Sequence, residues 1–185
     1  IILYFFFLCI QNIIMVLTVS LVHIFQQPFQ TIKTFYNQIR QKDDVVKISE
    51  LIDAHIDEHG FEYTKHRLVC HNIIPQVLRR DQILHIPEII IEEECWYDEK
   101  GQKFWARTRN LSWSEIATLS NIITLSITPN PTWTKYEIDG ITDFFGTQPH
   151  EIGYAVEYFL KKYTEKKLLE HIKIIDQECL KNNDI

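Results

Sequence analysis

The sequence has little of what marks several common classes of protein. It contains only five glycines and six prolines in 185 residues, which argues against long flexible linkers. Its 19 basic residues are outnumbered by 25 acidic ones, and a formal charge of −6 gives no concentrated basic surface for nucleic acid. Length and composition together predict one globular domain with a single core, and no nucleic-acid partner.

Cysteine is also scarce, and its four positions are Cys9, Cys70, Cys95 and Cys179. No two of them have the close spacing of a zinc ligand pair, and they are too few and scattered for a disulfide scaffold. We therefore expect buried free thiols, since unpaired cysteine behaves as a small apolar side chain. The sequence also lacks the Gly-x-Ser-x-Gly, Walker and Gly-x-Gly-x-x-Gly strings, so we predict no enzyme.

Residues 1–25 form a long hydrophobic run, long enough in itself to suggest a membrane span. Gln11 and Asn12 interrupt the run, and the single methionine of the chain is Met15. We therefore predict that residues 1–14 are an extension outside the domain. A presequence, an anchor and upstream sequence remain open for this extension. The domain is predicted over residues 15–181, followed by a polar tail at 182–185.

From Met15 onward the hydrophobic pattern alternates between the periods of strands and helices. The predicted order is a strand at 16–25, a helix from Pro28 to near Arg40, strands at 45–56 and 61–74, a short helix or loop at 75–84, strands at 88–97, 103–113, 116–128 and 133–146, and a long helix at 149–180. Short turns that end in Gly60 and in Gly101 predict two hairpins, because glycine supplies the positive φ that closes such a turn. Consecutive hairpins favour an antiparallel sheet. The sequence thus predicts an α+β fold in which a curved antiparallel sheet grips a long C-terminal helix, with room for an apolar ligand between them.

Three histidines and four carboxylates lie within residues 53–68. They could form a metal site from His55, Asp57 and His66, or they could be polar side chains of a solvated hairpin. No ligand spacing such as His-Glu-x-x-His is present, so we predict the hairpin and no metal. Residues 92–94 are three glutamates, which cannot share one face of a strand. For these glutamates we predict an exposed, charge-rich strand.

Several short strings resemble, in their order and spacing, those of the PRELI family (PRELI, slowmo and the Ups proteins) over residues 15–180. The strings are Met15-Val-Leu, His23-Ile-Phe25 with Phe29, Ile56-Asp57 through Gly60 to Arg67-Leu-Val69, Pro75, Thr108-Arg-Asn-Leu111 and Val156-Glu157. The resemblance implies a START-like helix-grip fold that encloses one phospholipid, with a mobile loop after the third strand acting as a lid. It implies no cofactor other than the lipid cargo.

Members of this family move phosphatidic acid or phosphatidylserine between mitochondrial membranes. The resemblance therefore implies an anionic, phosphatidic acid-like phospholipid as cargo. It also implies a location in the mitochondrial intermembrane space, peripheral to the inner membrane, where the protein contacts the membrane surface. A small helical-hairpin partner with paired Cys-x9-Cys motifs is the implied protein partner.

The resemblance also implies site residues. Head-group contacts are expected at Arg40, His71, Lys161 and Lys162. The lid, at about residues 72–85, is expected to contact the membrane through Ile73, Ile74, Pro75, Val77, Leu78, Arg79 and Arg80. Arg40 is a substitute, because the family's basic position before its aromatic-Pro-Asn-Pro string is Gln38 here. Cys70 and His71 stand where the family tends to carry lysine. For the two helix lysines, the solvated side of an amphipathic helix is the alternative.

These departures, the acidic balance and the hydrophobic extension leave a second function open. In that alternative the chain no longer transfers lipid. It is instead a PRELI-like structural subunit of a large mitochondrial membrane complex.

Overall fold

The structure is a computed structural model that describes residues 15–79, 85–114, 117–144 and 150–183. Its elements are β1 (Met15–Phe25), α1 (Phe29–Gln41), β2 (Val46–Ile56), β3 (Glu62–His71), a 3-10 turn (Gln76–Leu78), β4 (Glu88–Asp98), β5 (Lys103–Asn110), β6 (Ala117–Ile127), β7 (Thr134–Phe144) and α2 (His150–Asn183). The predicted extension at 1–14 lies outside the described residues. Of the predicted polar tail, residues 182 and 183 form the end of α2.

All seven strands join one antiparallel sheet in the order β1-β7-β6-β5-β4-β3-β2. The curved sheet packs against the long C-terminal helix, so the predicted helix-grip fold is confirmed. The chain runs through the sheet from β2 to β7 in consecutive neighbours, and β1 pairs with β7. Strand β2 is an edge of this sheet.

The turn between β2 and β3 has the predicted chemistry. Gly60 has a φ of 82°, a conformation that glycine adopts without steric cost. One carboxylate oxygen of Asp57 accepts hydrogen bonds from the backbone N–H groups of His59 and Phe61, each at 2.9 Å. In the next hairpin the prediction fails in detail, because the positive φ of 45° belongs to Gln102 and not to Gly101.

The main core lies between the sheet and the two helices. Helix α1 buries Phe29, Ile32 and Tyr36, which are spaced three and four apart as one helical face requires. Helix α2 contributes Leu168, Ile172, Ile175 and Cys179 to the main core, at similar spacing. These side chains meet inward-facing residues of β4 to β7 in one cluster, which positions both helices over the concave face of the sheet.

Cys70, Cys95 and Cys179 are buried and free, as predicted, whereas Cys9 lies outside the described residues. Burial raises the pKa of the Cys95 thiol to about 12 and that of the Cys70 thiol to about 11. These thiols therefore stay protonated and unreactive at neutral pH. Within the described ranges, no helix is both long enough and apolar enough to cross a bilayer.

Candidate functional site: the cavity between sheet and helices

A cavity of about 290 Å³ lies between the sheet, α1 and α2. Its lining is mostly apolar and comes from both helices, from β2 to β7 and from the segments after α1 and after β3. The apolar lining residues are Ile39, Val45, Val46, Leu68, Ile73, Ile91, Ile123, Ile138, Leu168, Ile172 and Ile175. This volume is at the lower limit of pockets that bind small molecules. The cavity therefore offers an apolar container of modest size in the structure described.

An ion pair in the cavity wall joins α1 to β4. Arg40 Nη2 lies 3.0 Å from Glu93 Oε1, and Arg40 Nη1 donates to the Cys95 thiol at 3.3 Å. Glu93 is only 3% exposed. Burial raises the pKa of Glu93, although the charge of Arg40 opposes this shift. Burial also disfavours the charged form of Arg40, but Glu93, Cys95 and Tyr36 together outweigh it, so the pKa of Arg40 is raised.

The prediction of an exposed Glu92–Glu94 stretch is wrong. Glu93 points into the cavity, because it shares the inward face of β4 with Ile89, Ile91 and Cys95. Glu92 and Glu94 occupy the outer face, but their side chains are only 12% and 13% exposed. The basic side chains of Lys65, Arg107 and Arg109 cover them. The charges compensate one another across neighbouring strands.

A second basic group lines the cavity near the end of α1. Lys167 of α2 donates a hydrogen bond of 2.8 Å to Asp44 and lies 3.7 Å from a carboxylate oxygen of Asp43. The hydrogen bond to Asp44 raises the pKa of Lys167 and lowers that of Asp44. Burial lowers the pKa of neighbouring His171, which is therefore neutral at pH 7. Each lysine or arginine charge in the lining thus has an acidic partner.

A more polar depression of about 340 Å³ adjoins this end of the cavity, between α1 and α2. The two share Ile39, Asp43, Lys167 and His171 in their linings. The remaining charged residues of the depression are Lys42, Asp44, Glu170 and Glu178. The depression is therefore more acidic than basic.

The four residues expected to bind a head group do not converge. Arg40 lies in the cavity wall, whereas the described lining does not include His71, Lys161 or Lys162. The side chain of His71 is exposed at the end of β3. Lys161 and Lys162 are exposed on α2, and Lys162 forms an ion pair of 3.0 Å with Glu165. Their contact with a lipid head group stays a prediction.

The segment expected to be the lid has an inward and an outward side. Ile73 lines the cavity, and Ile74 is buried with Ile89, Trp113 and Leu160. Val77 is 69% exposed, Pro75 is half-buried, and Leu78 belongs to the 3-10 turn. Arg79 donates to the backbone oxygens of Ile74 and Asn72, at 2.7 and 2.8 Å. Arg80 lies outside the described residues.

Asn72 joins the two ends of this segment. Its side-chain amide donates to the backbone oxygen of Ile86 at 2.7 Å, and its backbone N–H donates to Pro87 at 3.1 Å. Its side-chain oxygen accepts from the N–H of Ile74 at 2.9 Å. These bonds hold the end of β3 close to the start of β4.

The histidine-rich hairpin is scaffold in this structure. His55 packs against Tyr63 on the outer face of the sheet, with ring centroids 4.8 Å apart. His66 is three residues beyond Tyr63 in the same strand and therefore lies on the opposite face. The residues proposed for a metal site are thus separated by the sheet. The described residues contain no other group of three His, Cys, Asp or Glu side chains placed to hold a metal ion.

Sequence reasoning missed the acidic cavity residues Asp43 and Glu93, whereas it expected Lys167 only as an extension of the basic patch at Lys161 and Lys162. The signal for Glu93 was present, because two-residue spacing puts it on the apolar face that holds Ile91 and Cys95. Asn121, another polar lining residue, lies opposite Gly140. A Cβ at Gly140 would lie 2.4 Å from the Asn121 side-chain oxygen, so this glycine gives Asn121 its space.

A curved antiparallel sheet that packs against a long C-terminal helix defines the helix-grip fold, which solved structures also show. Norcoclaurine synthase from Thalictrum flavum has a TM-score of 0.52 at 11% identity, covering 90% of this chain and 95% of the truncated synthase. TTHA0849 from Thermus thermophilus has a TM-score of 0.52 at 12% identity, covering 90% and 99%. Ara h 8.0201 has a TM-score of 0.51 at 11% identity, with the same coverage. At these identities the likeness shows the fold alone.

The family follows from the sequence itself. The model of the PRELI-like family matches residues 29–183, from the first residue of α1 to the last residue of α2. The chain belongs to the PRELI-like family. Family membership and the helix-grip fold together support a lipid-binding role.

Proposed function

We propose that this protein is a phospholipid carrier that moves lipid between mitochondrial membranes. The cargo proposed from the family resemblance is an anionic, phosphatidic acid-like phospholipid. The observation that carries the proposal is the apolar cavity between the sheet and the helices, with the Arg40 guanidinium in its wall. Membership in the PRELI-like family supports the same role. In this proposal the protein performs no chemistry and needs no cofactor besides its cargo.

The proposed mechanism is extraction of one lipid into the cavity. Contact with a membrane turns the segment after β3 outward, the acyl chains enter, and the segment returns. Burial of the chains contributes about 0.8 kcal/mol per CH2 group. A cavity of about 290 Å³ is small for two acyl chains, so α2 must move away from the sheet during uptake.

The proposed location is the mitochondrial intermembrane space, at the surface of the inner membrane. The proposed partner is a small helical-hairpin protein with paired Cys-x9-Cys motifs. Both proposals rest on the family to which the chain belongs.

Two adjacent isoleucines of β6 give a matched test of carriage. Ile123 lines the cavity, whereas Ile122 is 47% exposed on the outer face. We expect the Ile123→Trp variant to fill the cavity and to lose at least about nine-tenths of lipid transfer between vesicles that contain phosphatidic acid. The Ile122→Trp variant should transfer at the wild-type rate. Native mass spectrometry of the purified protein should detect one phospholipid per chain. Equal transfer by the two variants would argue against the cavity as the container.

An exposed apolar edge favours a second candidate, a structural subunit of a large mitochondrial membrane complex. Edge strand β2 exposes Ile48, Leu51, Ile52 and Ile56, each at 43–63%. Apolar edge strands bind other chains unless they are covered or charged. Here the edge is the proposed contact with a neighbouring subunit.

Sedimentation of the native protein distinguishes the two candidates. A carrier should sediment as a small particle with its partner, and a subunit should sediment with a large membrane complex. For a subunit, Leu51→Glu should release the chain from that complex, whereas the same change should leave the transfer rate of a carrier intact.

A further inference from the structure

The charged residues that line the cavity have a net charge of zero. Its charged lining residues are the basic Arg40 and Lys167 and the acidic Asp43 and Glu93, while His171 is neutral at pH 7. A phosphate monoester carries about −1.5 to −2 charges at neutral pH. Such a head group would bring excess negative charge next to the buried Glu93 carboxylate. Separating it from water there is costly without additional cations.

Glu93 also has an unused capacity to accept a hydrogen bond. Its Oε1 is buried and lies 3.0 Å from Arg40 Nη2, but the pair is not aligned as a hydrogen bond. Within the described part of the chain, this oxygen is the buried side-chain polar atom that accepts no hydrogen bond. Buried polar atoms in native proteins usually have partners, so one without a partner requires an explanation, and a ligand is one such explanation. The natural partner of a carboxylate oxygen is an ammonium group.

We infer that Arg40 and Glu93 form a two-part head-group subsite for a zwitterionic aminophospholipid, in which Arg40 binds the phosphodiester and Glu93 accepts from the primary ammonium. The inference rests on the proposed phospholipid container and revises its cargo from a monoester to an ethanolamine-type lipid. Binding replaces the single Arg40–Glu93 pair with two pairs and leaves no charge uncompensated in the cavity.

Arg40 has donors to spare for this exchange. A guanidinium has five N–H groups, and the described hydrogen bond and ion pair of Arg40 are those to Cys95 and Glu93. The side chain of Arg40 lines the cavity and is about one-quarter exposed, so a ligand in the cavity can approach it. Lys167 remains paired with Asp43 and Asp44 and does not have to give up its partners.

The test is a competition on the full chain. The purified protein is exchanged with equimolar phosphatidylethanolamine, phosphatidylserine, phosphatidic acid and phosphatidylcholine of identical acyl chains, and bound lipid is counted by native mass spectrometry. We expect phosphatidylethanolamine to exceed both phosphatidic acid and phosphatidylcholine by about tenfold, which corresponds to 1.4 kcal/mol. Phosphatidylcholine is informative because its quaternary ammonium has the charge but no N–H donor.

A matched pair of variants assigns the selectivity to Glu93. Glu93→Gln keeps the shape of the side chain and removes its charge, so the ethanolamine-to-monoester ratio should fall to within about threefold of unity. Glu92→Gln makes the same change on the outer face of the same strand and should keep the wild-type ratio. If Glu93→Gln does not fold, a second experiment takes its place. It offers mono- and dimethylated phosphatidylethanolamines to the wild-type chain. Their binding should decrease with each lost N–H donor.

The possible outcomes separate the two proposals. Preferred binding of phosphatidic acid or phosphatidylserine would overturn the inference and leave the proposed carrier intact. An unchanged ratio in Glu93→Gln, or equal binding across the methylation series, would also overturn it. A chain that binds none of the four lipids contradicts the proposed carrier as well.

Discussion

The two faces of β4 carry the same residue types in opposite environments. On the inner face Glu93 is buried beside a single arginine, and its pKa is raised by burial. On the outer face, hydrogen bonds from Lys65 and Arg107 lower the pKa values of Glu92 and Glu94 against the effect of partial burial. Ile89 and Ile90 differ in the same way, at 5% and 37% exposure. One strand thus shows that position on a face, and not residue type, decides whether a group serves the cavity or the surface.

The largest expected effect is the difference in stability between variants of the two neighbouring isoleucines of β4. Ile89→Ala should lower the free energy of unfolding by about 3–4 kcal/mol, because it leaves a void beside Ile74, Trp113 and Leu160. Ile90→Ala, one residue away, should cost less than about 1 kcal/mol. Urea denaturation of the two variants measures both values. Similar losses would show that the outer face is also packed.

The next effect isolates the buried ion pair. Arg40→Met should destabilise the fold by about 2–3 kcal/mol at pH 7, at the low end for a buried pair because Arg40 is partly exposed. The loss comes from the unpaired Glu93 carboxylate. The double variant Arg40→Met with Glu93→Leu should therefore regain most of the stability, as measured by the same denaturation experiment. A double variant as unstable as the single one would assign the loss to packing around Arg40.

A smaller effect, of opposite sign on the two faces, is expected from pH. The pKa of Glu93 is raised above its ordinary value of 4.5, so the folded state binds the proton more strongly and stability falls as the pH rises through the window above 4.5. The pKa of Glu92 is lowered, so its contribution is present above 4.5 and disappears as the pH falls through the folded pKa. The free energy of unfolding is measured against pH for wild type, Glu93→Gln and Glu92→Gln. Glu93→Gln should lack the loss of stability at rising pH, and Glu92→Gln should lack the loss at falling pH. Parallel profiles would contradict the assignment.

The smallest effect is expected on the outer face. Arg107 donates to Glu94 at 2.5 and 3.0 Å, yet its side chain is half exposed. Arg107→Ala should cost about 0.5–1 kcal/mol, and less at 1 M salt, where charges are screened. Thermal unfolding at low and high salt gives both numbers. A loss above 2 kcal/mol that salt does not reduce would mean that Arg107 stabilises the sheet through packing over Trp96.

The strand and helix order could be predicted because period and turn chemistry are local. The alternation along β4 and the glycine of the first turn are readable from a few neighbouring residues. The error at Gln102 is of the same local kind, since glycine at 101 was the expected left-handed residue. The sequence also predicted that three consecutive glutamates divide between two faces, but not that their charges would be covered on both.

The candidate site was less accessible to prediction because its contacts are distant in sequence. Arg40 and Glu93 meet across 53 residues, and their distance depends on how α1 is placed over the sheet. The same holds for Lys167 and Asp44, 123 residues apart. Family resemblance identified Arg40 as a candidate, but residue patterns alone give neither the partner that neutralises it nor the volume beside it.

The contact between Ile74 and Leu160 connects the segment after β3 to the helix that forms one wall of the cavity. Ile74 belongs to the segment whose two ends are joined by the hydrogen bonds of Asn72. Leu160 belongs to α2, the helix that forms one cavity wall. A displacement of that segment therefore removes packing from the helix at the same moment. In the proposed carrier, uptake of lipid and movement of this segment would therefore occur together, and a spectroscopic probe near residue 77 should report on the filling of a cavity that it does not touch.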